Sequence, residues 1–101
     1  MKKETILIID DEADMLDNCE RLLSRAHYRP VVLKDPVKLK EILELERPNL
    51  VLTDLKMPGM DGLQVLAQVK EVSGEIPVVL FTAFATVETA VTAMRQGAFD
   101  Y

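Results

Sequence analysis

Short apolar runs recur along the chain and predict β-strands. They lie at Thr5–Asp10, Pro30–Lys34, Leu50–Asp54 and Pro77–Phe81, and Ala98–Tyr101 begins a fifth. The first run is apolar at nearly every position, which is typical of a strand buried on both faces of a parallel sheet. The pattern therefore predicts a sheet whose central strands are covered on both sides.

Between these runs, apolar residues recur every three or four positions, which predicts helices. The helical segments cover Glu12–Ala26, Pro36–Leu45 and Leu63–Val72, and a fourth begins near a cap at Thr86 or a neighbour. Strands that alternate with helices of this length predict an α/β fold with a doubly wound parallel sheet. We expect one domain over residues 1–101.

Composition narrows the function classes. The chain has 101 residues, is 49% hydrophobic and carries a net charge of −5. This charge disfavours direct binding of nucleic acid or of an anionic membrane by this segment. No apolar run approaches the roughly 20 residues that span a bilayer, and a single cysteine excludes a disulfide framework. We expect a cytoplasmic protein.

Acidic and hydroxyl side chains follow three of the predicted strands. Asp10 and Asp11 come after the first, Asp54 ends the third, and Thr82 follows the fourth. Ligands of such folds bind at the carboxyl ends of the strands, where these oxygen ligands suit Mg²⁺. We expect Asp11 and Asp54 to bind Mg²⁺ directly and Asp10 to act through water. One carboxylate would be a nucleophile toward phosphorus, with Thr82 on a phosphoryl oxygen and Ala83 leaving room for it.

Four blocks of residues resemble the receiver domain of two-component response regulators. They are Ile8–Glu12, Thr53–Gly62, Phe81–Ala83 and Gly97–Tyr101, in the family's order and spacing. The resemblance implies a flavodoxin-like receiver fold with strand order 2-1-3-4-5. The stretch over residues 82–91 and the ending at Tyr101 are most similar to the nitrogen-regulator subfamily, whose members activate σ54-dependent promoters.

The resemblance also implies a role for each matching acid. Asp54 is expected to accept a phosphoryl group from a histidine kinase. The expected Mg²⁺ ligands are Asp10, Asp11, Asp54 and the backbone carbonyl of Lys56. The domain would then be a switch and not an enzyme that turns over an external substrate.

The remaining implied residues transmit the switch. Thr82 is expected to be the switch hydroxyl, and Tyr101 the aromatic residue that changes orientation with it. In the nitrogen-regulator subfamily, the receiver precedes an AAA+ ATPase module and a DNA-binding helix-turn-helix. These modules are therefore the expected output partners.

The chain departs from the receiver pattern at its end. The family has a phosphate-contacting lysine three residues beyond the aromatic, followed by a fifth helix, but this chain ends at Tyr101. With the fifth strand incomplete and the fifth helix absent, we expect weakened or uncoupled phosphorylation. We also expect uncovered apolar side chains on the central strands, which favour a homodimer or higher assembly. A smaller departure is His27, where many receivers have glycine, and a positive φ at this position would bring modest backbone strain.

Two other function classes stay open. One is a protein interaction module that works without phosphorylation. The other is a Mg²⁺-dependent phosphatase with an aspartyl-phosphate intermediate, although such enzymes place a second acid where this chain has Lys56. A nucleotide-binding domain is disfavoured because neither G-x-G-x-x-G nor G-x-x-x-x-G-K-[ST] is present.

Overall fold

Four parallel strands organise the part of the chain that the computed structural model describes, residues 3–82 and 87–101. The strands are β1 (Thr5–Ile9), β2 (Arg29–Leu33), β3 (Leu50–Asp54) and β4 (Val78–Phe81). Their order in the sheet is β2-β1-β3-β4, and all three pairings are parallel. The predicted doubly wound parallel sheet is confirmed, and each strand lies within one residue of its predicted bounds.

Helices cover both faces of this sheet. They are α1 (Ala13–Arg25), α2 (Leu39–Glu46), α3 (Gly62–Val72) and α4 (Val87–Arg95). α1 packs against β1 and β2, whereas α3 packs against β3 and β4 and also contacts α2. The fold is therefore built from successive βα units, as the alternating pattern predicted. None of the helices in the described ranges has both the length and the apolar character needed to cross a membrane.

The alternation of side chains along β1 separates two cores. Leu7 and Ile9 belong to the larger core, on the side of α2 and α3, while Ile6 and Ile8 belong to the smaller one, against Leu16 of α1. All five residues of β1 are buried, because this central strand is covered on both faces. The apolar run of β1 therefore determines which strand lies at the centre.

The α1 side of the sheet is incompletely covered beyond β1. Leu50 and Leu52 of β3 are only partly buried, and so is Val79, which is paired with Leu52. Their neighbours on the opposite face, Val51 and Val78, are completely buried. These apolar side chains are thus only partly covered on the α1 side, and the assembly expected from uncovered side chains stays a prediction.

Two predicted elements differ from the structure. The helix expected over Pro36–Leu45 is a 3₁₀ turn at Pro36–Lys38 followed by α2. Asp35 does cap this turn, because its carboxylate accepts a hydrogen bond of 3.1 Å from the Val37 N–H. The fifth strand expected at Ala98–Tyr101 is a single parallel bridge between Asp100 and Val79.

Arg29 makes two side-chain contacts at the amino edge of the sheet. The Arg29 guanidinium lies 2.7 Å from the Glu46 carboxylate and donates a hydrogen bond of 3.2 Å to the Thr5 hydroxyl. These contacts join the first residues of β2 and β1 to the end of α2. Nearby, His27 has a φ of 69°, so the condition for modest backbone strain at a residue other than glycine is met there.

A close backbone approach joins the start of α3 to the end of β3. The Gly62 N–H donates to the Leu55 carbonyl at 2.7 Å. A Cβ added at Gly62 would lie 2.5 Å from the Asp54 carbonyl oxygen. Asp61 and Gln64 close a reciprocal capping box at the same point. Glycine is therefore required at residue 62 for space behind Asp54.

Replacing Gly62 with alanine should destabilise the protein. The new methyl would press against the backbone of β3 and not against a movable side chain, so we expect a loss of about 1–3 kcal/mol in the free energy of unfolding. Urea denaturation of Gly62→Ala measures this loss. Gly74→Ala is the matched control, because a Cβ at Gly74 has no neighbour within 4 Å. Equal stability of the two variants would contradict the steric explanation.

Candidate acidic phosphotransfer site

Three carboxylates meet at the carboxyl edge of the sheet. Asp10 and Asp11 directly follow β1, and Asp54 is the last residue of β3. Because Ile9 is paired with Thr53, the two strands end at the same level. One oxygen from each of the three carboxylates lies within 4.8 Å of the other two. The structure thus brings together the acids that the sequence predicted to be neighbours.

Backbone N–H groups hold two of these acids in place. The Glu12 N–H donates to Asp10 Oδ1 at 3.0 Å, and the Lys56 N–H donates to Asp54 Oδ1 at 3.2 Å. Each is a short-range contact made by the residue two positions further along the chain. The loop after each strand therefore orients the carboxylate of the strand end.

Asp10 is the most deeply placed of the three acids. Its side chain is 2% exposed, whereas Asp11 and Asp54 are partly buried. The pKa of Asp10 rises from its ordinary value of 3.8 to about 6, chiefly because burial removes water from the carboxylate. The hydrogen bond from Glu12 opposes this rise, and the nearby charges of Asp54 and Asp11 add to it. The edge therefore gathers three carboxylates in a place where burial makes their ionisation costly.

The acids open into a cleft of about 420 Å³. Its lining contains five of the predicted site residues, namely Asp10, Asp11, Asp54, Lys56 and Thr82. Thr82 follows β4 directly, and Phe81 is paired with Asp54, so the hydroxyl and the carboxylate stand at the ends of adjacent strands. The roles assigned to these residues stay predictions, but their shared location fits those roles.

Three residues of this lining were not identified as site residues from the sequence, namely Glu12, Met15 and Phe81. The position of Glu12 directly after the acid pair could have indicated it, whereas the apolar character of Met15 and Phe81 gave no such signal. A fourth carboxylate beside the three acids increases the negative charge around the cleft.

The other predicted residues lie elsewhere. Tyr101 packs against the larger core, and its hydroxyl lies 2.6 Å from the Thr89 hydroxyl of α4. The described lining of the cleft does not include Tyr101. Ala83, predicted to give access to the phosphoryl group, and the cap at Thr86 lie outside the described residues.

The donor chemistry of the acidic cluster suits a hard divalent cation. All of the candidate donors are oxygen atoms, and Mg²⁺ is usually bound through one or two carboxylates. Burial is the main cause of the raised pKa of Asp10, and a cation would offset the repulsion from Asp54 and Asp11 that adds to it. The residues present therefore fit the predicted metal.

The family of the chain follows from its sequence as well as from this geometry. Residues 6–101 match the family described as the response regulator receiver domain. The chain therefore belongs to this family, and the receiver fold predicted from the four sequence blocks is confirmed.

Similar proteins include two transcriptional regulators. The DNA-binding transcriptional regulator NtrC of Escherichia coli K12 is 35% identical over 101 residues, which cover all of this chain and 22% of NtrC. The regulatory protein AtoC of the same organism is 40% identical over 100 residues, which cover 95% of this chain and 21% of AtoC. The predicted likeness to the nitrogen-regulator subfamily is confirmed, and the chain spans about a fifth of the length of these relatives.

Solved structures support the same fold. The crystal structure of a response regulator receiver domain protein from Clostridium thermocellum has a TM-score of 0.90 and 29% sequence identity. The match covers 97% of this chain and 79% of that one. The likeness extends over the whole sheet and its helices.

The raised pKa of Asp10 predicts a specific pH dependence. Because the folded chain binds this proton more tightly than the unfolded chain, its contribution to stability is present below pH 4 and is lost as the pH rises through about 6. Asp10→Asn removes the free-energy cost of ionising a buried carboxylate. We expect the variant to be about 1–3 kcal/mol more stable than the parent at pH 7.5 without divalent cations.

Urea denaturation from pH 4.5 to 7.5 with a chelator measures this difference. The gap between Asp10→Asn and the parent should widen as the pH rises, since the contributions of other groups cancel. Asp17→Asn, an exposed position on α1, is the control. Parallel curves for the parent and Asp10→Asn would show that Asp10 is ionised without penalty.

Proposed function

We propose that this receiver domain is a phosphorylation-operated switch in which Asp54 accepts a phosphoryl group from a histidine kinase. The observation that carries the proposal is the clustering of Asp10, Asp11 and Asp54 within 4.8 Å at one strand edge, next to Thr82. Bringing three carboxylates together lowers the stability of the fold. A phosphoacceptor site, as expected for a receiver domain, would explain why they are together.

The chemistry assigned to Asp54 is nucleophilic. One carboxylate oxygen attacks the phosphorus of a phosphohistidine, the P–N bond breaks, and an acyl phosphate forms on Asp54. The Lys56 N–H, which already donates to Asp54 Oδ1, orients the carboxylate so that the other oxygen is presented to the cleft. Thr82, at the end of the adjacent strand, donates to an oxygen of the transferred group.

Asp10, Asp11, Asp54 and the backbone carbonyl of Lys56 would hold Mg²⁺. When bound, the cation supplies positive charge that offsets the charge of the incoming phosphoryl group and of Asp54. Asp10 keeps this end of the site negative, and its burial prevents it from competing as a nucleophile. All three acids would thus hold the cation, and only Asp54 would also accept the phosphoryl group.

The same geometry disfavours turnover of an external phosphate ester. A phosphatase of the aspartyl-phosphate class needs a general acid two residues after its nucleophile, where this chain has Lys56. An ammonium group attached to a flexible stem is a poor proton donor for a leaving alkoxide near neutral pH. The proposed role is therefore that of an acceptor that keeps its phosphoryl group.

The output of the switch is proposed from the relatives. NtrC is a DNA-binding transcriptional regulator, and AtoC is a regulatory protein. We infer that this receiver controls an AAA+ ATPase module and a DNA-binding module that activate σ54-dependent transcription in the cytoplasm. The net charge of −5 supports a regulatory role for this domain and not direct contact with DNA.

Phosphorylation of Asp54 should be visible in the mass of the protein. Incubation with acetyl phosphate and Mg²⁺ should add one phosphoryl group, about 80 Da, and Asp54→Asn should abolish the gain because the amide is not a nucleophile. Intact-mass spectrometry measures both results. Asp61→Asn, at the capping acid of α3, is the matched control and should be phosphorylated like the parent.

A second protein extends the test past Tyr101, where the family has its phosphate-contacting lysine. It is a chimera that continues past Tyr101 with the segment that follows the matched region in NtrC. Absence of the mass gain in both proteins would contradict the proposed switch. It would favour the interaction module that works without phosphorylation.

Binding of Mg²⁺ should stabilise the fold in a pH-dependent way. At tenfold the dissociation constant, we expect about 1.4 kcal/mol of added stability. The effect should grow as the pH rises through about 6, because the cation competes with the proton of Asp10. Thermal unfolding with and without Mg²⁺ measures this gain, which Asp11→Asn should remove. A gain in Asp11→Asn equal to that of the parent would exclude Asp11 as a ligand.

A further inference from the structure

Two apolar side chains lie in the lining of the acidic cleft. Among the described lining residues, Met15 and Phe81 are apolar, whereas the others are charged or carry a hydroxyl. Met15 is 38% exposed, and Phe81 is partly buried. Apolar surface in contact with water has a free-energy cost, so a ligand that covers these side chains gains affinity. The roles proposed for the acids and for Thr82 use neither of them.

Phe81 faces the same side of the sheet as the acceptor carboxylate. Val78 and Leu80 of β4 belong to the larger core, and side chains alternate along a strand, so Phe81 is directed to the α1 side. In the parallel pair of β3 and β4, Phe81 is the register partner of Asp54. The two side chains are therefore neighbours at the edge where a phosphoryl group would bind.

Met15 reaches the same cleft from a different element, the first turn of α1. Its unbranched thioether is flexible and polarisable, and sulfur makes favourable contacts with aromatic rings. Together with the ring of Phe81, it gives an otherwise polar cleft an apolar part. We refer to the side chains of Met15 and Phe81 as the apolar wall.

The leaving group of the proposed transfer depends on the donor. In an in-line displacement it departs on the side of phosphorus opposite to the attacking Asp54 oxygen, so it lies against the walls or the mouth of the cleft. A phosphoimidazole that is protonated on its second ring nitrogen keeps the electron pair of the broken P–N bond and leaves as flat, neutral imidazole. Acetyl phosphate keeps the pair of the broken P–O bond and releases an acetate anion.

The described lining suits the neutral ring better than the anion. An aromatic ring gains contacts with a thioether and with a second ring. Acetate would instead bring another negative charge close to Asp10, Asp11 and Glu12, where like charges repel. The lining therefore favours an aromatic leaving group.

We propose that Met15 and Phe81 are specificity-determining residues that hold the imidazole ring of the donor phosphohistidine during transfer. This assignment rests on the proposed phosphorylation of Asp54 and adds a preference for donors with an aromatic nitrogen leaving group. Contacts that are made in the transition state raise the rate. Removal of the apolar wall should therefore slow transfer from such donors and leave transfer from acetyl phosphate unchanged.

Phosphorylation rates with two small donors test the apolar wall. Intact-mass spectrometry in the presence of Mg²⁺ follows transfer from phosphoimidazole and from acetyl phosphate. We expect phosphoimidazole to phosphorylate Met15→Ala and Phe81→Leu about 3- to 10-fold more slowly than the parent, and acetyl phosphate to react at the parent rate. Met15→Leu, which stays apolar at similar volume, should keep most of the rate, whereas Met15→Gln, which adds an amide, should not.

Leu22→Ala is the matched control. Leu22 lies on the same helix, is 63% exposed and does not belong to the described lining of the cleft. Its rates with both donors should equal those of the parent. Equal slowing of Met15→Ala with both donors would overturn the proposal, because a general disturbance of the site does not distinguish leaving groups. If Phe81→Leu unfolds, the three Met15 variants decide the question.

Imidazole itself gives a readout that does not depend on phosphorylation. Titration at about pH 8, where imidazole is mostly neutral, should shift the NMR signal of the Met15 methyl group, while acetate should not. The methyl group of Met94, 49% exposed on α4, is the internal control. A selective shift at Met15 without any phosphorylation of Asp54 would support the apolar wall and reject the proposed function. Phosphorylation by both donors with no shift and no change of their rate ratio in Met15→Ala would reject the apolar wall and leave the proposed function intact.

Discussion

The parallel register of β1, β3 and β4 is the constraint on which the rest of this structure depends. Pairing of Ile9 with Thr53 and of Asp54 with Phe81 ends the three strands at one level. Parallel strands place all of their carboxyl ends at one edge, so residues distant in sequence become neighbours. A shift of β3 by one residue would turn Asp54 to the other face of the sheet and separate it from the acid pair.

This convergence opposes the stability of the fold. Three carboxylates are held close together, and burial raises the pKa of Asp10. The surrounding backbone maintains the arrangement through the N–H groups of Glu12 and Lys56 and the close approach of Gly62. The cores on the two faces of the sheet supply the stabilisation that allows such an arrangement to persist.

Much of the fold and of the site could be predicted from the sequence, because apolar runs and strand-end acids are local signals. The nearly continuous apolar run within Thr5–Asp10 indicated a strand buried on both faces, and Asp10, Asp11 and Asp54 were expected at one edge. The close approach of Gly62 and the contact between Thr89 and Tyr101 were not predicted. Both depend on distances between elements, which no spacing along the chain reveals.

The fifth strand and the second helix illustrate the same limit. Whether Ala98–Tyr101 forms a strand depends on hydrogen bonds to β4, and only Asp100 makes a bridge there. The 3₁₀ turn at Pro36–Lys38 was hidden because its apolar spacing is compatible with either kind of helix. Local pattern thus predicts the type of an element better than the extent of its pairing.

The charges at the two ends of the strands have opposite effects. At the amino edge, Arg29 attracts Glu46 and binds Thr5, while at the carboxyl edge like charges repel one another. Dissolved salt screens both interactions, so it loosens one end of the sheet and relieves the other. Added salt therefore makes the amino edge of the sheet less stable and the carboxyl edge more stable. A single measurement of global stability would combine these two opposing effects.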